Sequence, residues 1–102
     1  MKYGEQDNER QIELKLGQEL EITLPEVRTA GYRWTLKDAA APACALENED
    51  FRKPGAVGGS GTHTWRLKAV SLGSGMVQLW YGREWESSGP SKTFHLKVKV
   101  QP

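Results

Sequence analysis

A chain of 102 residues, 37% hydrophobic and 26% charged, has the size of one ordinary domain and is too apolar for a wholly disordered segment. Its formal net charge of +1 lacks the overall electrostatic signal of a nucleic-acid binder. A single cysteine, Cys44, excludes an internal disulfide, and no apolar run approaches the ~20 residues that span a bilayer.

The first ten residues, MKYGEQDNER, are polar and lack the apolar middle of a signal peptide; they are expected as a flexible tail before one domain at 11–102. Localisation is left open: cytoplasmic, or periplasmic or secreted if a targeting segment once preceded Met1. Beyond the tail, apolar residues alternate with polar ones, the period of half-buried strands. QIELKL places Ile12, Leu14 and Leu16 on one face, and ELEITL does the same with Leu20, Ile22 and Leu24. Gly17-Gln18 between them suits a two-residue hairpin turn. Pro25 has no backbone donor and is expected to end the second strand.

YRWTL alternates through Tyr32, Trp34 and Leu36. The piece from Lys37 to Pro54 is irregular: DAAAPACA suits a helical turn or a loop, and LENEDF a poor edge strand ending at Phe51. TWRLKAV buries Trp65, Leu67 and Ala69; VQLWY offers Val77, Leu79 and Tyr81; FHLKVKV offers Phe94, Leu96, Val98 and Val100. About seven short strands in roughly 100 residues predict an all-β, immunoglobulin-like antiparallel β-sandwich. If successive strands alternate in direction, the second–third, fourth–fifth and sixth–seventh connections (B–C, D–E and F–G in immunoglobulin lettering) emerge at one end.

Those connections share a composition: a soft tip beside a stiff aromatic. The first, RTAGYRW, runs from Arg28 through Gly31 to Trp34, and Gly31 permits a positive φ. The second, GAVGGSGTH, holds four of the chain's eleven glycines but has no following Lys-Ser/Thr pair and no helix, which argues against a phosphate cradle. The third, REWESSGPS, presents Arg83 and Trp85, residue types that anchor interfaces, between Glu84 and Glu86. By composition alone the first reads as a turn with a buried aromatic behind it, the second as a floppy linker, and the third as a tryptophan folded back over the sandwich end.

Together, LPEVRTAGYRW (24–34), GGSGTHTW (58–65) and YGREW (81–85) resemble, in order, the three loop motifs of chagasin-type inhibitors of papain-like cysteine proteases. The likeness covers about Arg10 to Val100. It implies a reversible inhibitor, not an enzyme, whose three loops form a wedge in the protease's active-site cleft, with no cofactor and no metal. By that resemblance the protease-binding residues are Arg28, Thr29, Ala30, Gly31 and Tyr32; Gly58, Gly59, Ser60, Gly61 and Thr62; and Arg83, Glu84 and Trp85. The chain departs from the motifs at Val27-Arg28 in place of Asn-Pro, at Ala30 in place of threonine, and at Glu84 in place of proline. Each change is expected to alter potency or the preferred protease.

Other readings are weighed against this one. Cys44 with His63 or His95 would be needed for a nucleophilic enzyme, and the spacing of His and Cys residues does not suit a metal. An adhesion or carbohydrate-binding module would stack sugars on Trp80, Tyr81 and Trp85. The expected partner is a papain-like protease, with no nucleic acid and no membrane insertion, and the chain is expected to be monomeric.

Overall fold

The computed structural model describes residues 1–53, 60–83 and 89–102, with Thr29 through its backbone alone. Each predicted strand is present. They are β2 (Gln11–Lys15), β3 (Glu19–Glu26), β4 (Tyr32–Ala39), β5 (Cys44–Arg52), β6 (Gly61–Ala69), β7 (Gly73–Arg83) and β8 (Lys92–Gln101). A two-residue strand, β1 (Lys2–Tyr3), lies parallel to β3. It leads into a 3-10 turn, Glu5–Asp7, where the buried Asp7 carboxylate accepts from the Gly4 N–H at 2.8 Å and from Arg10 at 2.6 Å.

The strands form two four-stranded sheets, β1-β3-β6-β5 and β2-β8-β7-β4. Their alternating residues fill one core. Leu20, Ile22 and Leu24 from β3 and Trp65 and Leu67 from β6 meet Val77, Leu79, Phe94, Leu96 and Val98 from the facing sheet, all at most 2% exposed. Burying each large side chain of this kind contributes roughly 1.5–3 kcal/mol before the entropy of ordering the chain.

Two expectations are corrected. Gly17 takes a positive φ of 92°, as a turn glycine should, but β2 and β3 do not form a hairpin. β2 pairs parallel with β8 in one sheet, while β3 pairs with β6 in the other. The turn therefore crosses between layers, and Leu16 sits half exposed on it instead of in the core. Nor does Pro25 end its strand: it lies opposite Thr62, and β3 continues to Glu26 opposite Gly61. The irregular piece also carries more strand than LENEDF suggested. β5 begins at Cys44, at the edge of its sheet, with a register shift between Leu46 and Asn48.

Register gathers the strand ends that flank the three connections at one pole. Glu26 opposes Gly61, Arg52 opposes Thr62, Tyr32 opposes Arg83, and Tyr81 opposes Lys92. The bases of the first, glycine-rich and third loops are thereby brought together.

Candidate functional site

The first loop is a single 3-10 turn, Arg28–Ala30, closed by Gly31 in the left-handed region at φ 86°. An L side chain is strained at that angle, so glycine suits the sharp return into β4. The Gly31 N–H donates to the Arg28 carbonyl at 2.8 Å, and the Ala30 N–H to that of Val27 at 3.2 Å. Aromatic residues hold the loop from below. Tyr81 stacks on Tyr32 at 5.2 Å and lies against Trp34 at 4.8 Å, with its hydroxyl accepting the Val27 N–H at 3.0 Å. The Trp34 indole donates to the Pro25 carbonyl at 2.9 Å.

Under the same loop lies a polar cluster that sequence reasoning missed. Glu26 is fully buried, and its carboxylate accepts from the Trp34 N–H at 2.6 Å, from Arg28 Nε at 2.5 Å and from His63 Nδ1 at 2.9 Å. Burial alone would raise the Glu26 carboxyl, but the bonds from Trp34, His63 and Arg28 outweigh it and hold the group below the usual carboxylate range. His63, itself buried, turns Nε2 to the part-exposed Glu49 at 2.8 Å. The imidazole thus bridges a buried carboxylate and one nearer the surface. The imidazole stacks on Trp65 at 3.9 Å and meets the edge of Phe51 at 6.1 Å.

A signal for this cluster is present in the sequence. Glu26 continues the inward phase of Leu20, Ile22 and Leu24, and His63 precedes Trp65, Leu67 and Ala69 in theirs. Two ionisable residues in core phase on neighbouring strands need each other.

Both arginines named for the site serve its internal geometry. The Arg28 guanidinium reaches back to Glu26 and lies 3.7 Å over the Phe51 ring. Arg83 donates from Nε to the Ala30 carbonyl at 3.0 Å and sits 4.5 Å over Tyr32. That bond joins the third loop's base to the first loop's tip. Ser60 and Thr62 are exposed, while Gly61 is buried against Phe51. Gly58, Gly59, Glu84 and Trp85 lie outside the described residues.

The competing readings lose their geometry. Cys44 is buried at the other end of β6 from His63, opposite Ala69, and burial pushes its thiol up, away from a reactive thiolate. Among the described residues no cluster of His, Cys, Asp and Glu could hold a metal ion. A sugar platform using Trp80 with Tyr81 is overturned: neighbouring residues on β7 face opposite sides, so Trp80 is exposed beside Lys37 while Tyr81 is buried in the core.

The model of the chagasin family, described as Chagasin family peptidase inhibitor I42, matches residues 13–98. Amoebiasin-1 of Entamoeba histolytica is 30% identical over 102 residues, covering 99% of this chain and 100% of that protein. The crystal structure of the cysteine protease inhibitor EhICP2 from Entamoeba histolytica has a TM-score of 0.88 at 19% identity, over 98% of this chain and 94% of that one. The solution structure of amebosin has a TM-score of 0.77 at 26% identity, over 98% and 97%.

Proposed function

The chain belongs to the chagasin family of peptidase inhibitors, and from that premise we propose that its three converging loops enter the active-site cleft of a papain-like cysteine protease as one wedge. The observation that supports this most is the joining of loop bases: Arg83 to the Ala30 carbonyl, and Glu26 to both Trp34 and His63. Three loops so tied present one shape, and affinity gained by fit loses less to ordering on docking.

In this reading the tip at Thr29, Ala30 and Gly31 meets the catalytic centre. A thiolate attacks a carbonyl only at the right distance and angle, and a tight 3-10 turn withholds that alignment. The glycine-rich segment from Gly58 to Thr62 runs along one wall, where side-chain-free positions allow close backbone approach. Arg83, Glu84 and Trp85 meet the other wall. No covalent step by the inhibitor is involved.

Titration against papain with a fixed peptide substrate tests the proposal. Saturable, dilution-reversible loss of turnover is expected. Full turnover at high micromolar inhibitor would reject papain-like clefts as the target.

A further inference from the structure

Glu26 touches no solvent, yet three donors from three places converge on it: the Trp34 N–H where the first loop re-enters the sheet, Arg28 Nε within the loop, and His63 Nδ1 on the strand that follows the glycine-rich loop. A buried carboxylate is tolerated only when paired and bonded in this way. The turn is tied down by a side chain: Arg28 is gripped by Glu26 at 2.5 Å and seated on Phe51 at 3.7 Å.

We propose that Glu26 is the positioning residue of the inhibitory edge: through Arg28, Trp34 and His63 it sets the shape of the first loop, and so the affinity for the protease, without contacting it. The inference rests on the inhibitor reading. The Arg28–Glu26 strap stiffens the turn, and the charge of Arg28 is spent within the molecule. The groups facing Glu26 are the Arg28 guanidinium and the His63 imidazole, and His63 is faced in turn by Glu49. Removing Arg28 or His63 leaves the buried Glu26 carboxylate short of a partner.

The test compares the parent chain with Glu26→Gln and Arg28→Ala against papain, following inhibition, dissociation rate and amide hydrogen exchange. Glutamine keeps an oxygen for the Trp34 N–H but cannot hold Arg28. Alanine at the partly exposed position 28 cuts the strap while leaving Glu26 its other two donors, so this variant remains informative if Glu26→Gln fails to fold. Both variants are expected to weaken inhibition about tenfold, mostly through faster dissociation. Exchange should quicken at Ala30, Gly31 and Tyr32 but not at Cys44, Ala69 and Val70 at the far pole. Arg28→Lys, which keeps a cation in reach, should recover part of the loss.

Unchanged inhibition in both variants overturns the positioning role. So does weakened inhibition with unchanged loop exchange, which would make Arg28 a direct protease contact, or exchange rising equally at both poles, which would make the effect one of global stability. Absence of inhibition by the parent chain rejects the inhibitor reading itself, while the exchange comparison still reports whether Glu26 holds the loop.

Discussion

A carboxylate moved from water into a protein interior loses several kcal/mol of hydration unless strong donors replace it. Glu26 has one backbone and two side-chain donors, and the balance leaves its carboxyl below the ordinary value. The sign of the linkage follows. A group whose folded pKa is depressed adds stability that is full above the unfolded value, about 4.3, and is lost as pH falls through the lower folded value. Thermal melts between pH 7 and pH 3 should therefore show the parent chain losing more stability than Glu26→Gln, with the gap between them closing in acid. A constant gap would mean that the charge of Glu26 contributes nothing. Asp7, lowered by the Gly4 N–H and by Arg10, should add to the same acid loss. Trp85 belongs to the same scale: as an interface anchor, its change to alanine should weaken inhibition by about 1–3 kcal/mol and leave the melting curve in place. A collapsed melting curve would make the indole part of the fold.

At the scale of elements, the strands were legible because each hides one face, and a one-residue slip would expose every core side chain. The partners of β2 were not legible. A turn of Lys15-Leu16-Gly17-Gln18 serves a hairpin or a crossing between sheets equally well, and alternation says which face is buried, not which neighbour is bonded. The loop motifs were legible as short patterns, but the Glu26–His63 pair spans 37 residues and is seen only once β3 lies beside β6. The same juxtaposition explains Gly61. A Cβ there would stand 2.3 Å from the Phe51 ring and 2.8 Å from the Arg52 carbonyl, so the β5 backbone itself would have to move. Gly61→Ala should cost about 1–3 kcal/mol by overpacking, read from denaturant midpoints. It should also weaken inhibition, because the displaced ring is the seat of Arg28. An unchanged midpoint would show that β5, an edge strand, yields freely.

For the molecule as a whole, an inhibitor that fills a protease cleft must avoid being cut there, and the fold supplies a physical reason why this one should survive. A scissile bond has to lie extended with its carbonyl free to take the thiolate's attack. Around the tip three carbonyls are engaged: Val27 accepts from Ala30 and Tyr32, Arg28 from Gly31, and Ala30 from Arg83. Straightening the turn would break these bonds together and pull Arg28 from Glu26, with the sandwich holding both ends of the loop in register behind it. Cleavage then waits on a local opening whose free energy the whole pole opposes. Long incubation with excess papain should return the full-length mass, with no cut between Arg28 and Gly31. Fragments at that position, formed as fast as from an unstructured peptide of the same sequence, would show that the loop melts inside the cleft and that the pole does not act as one body.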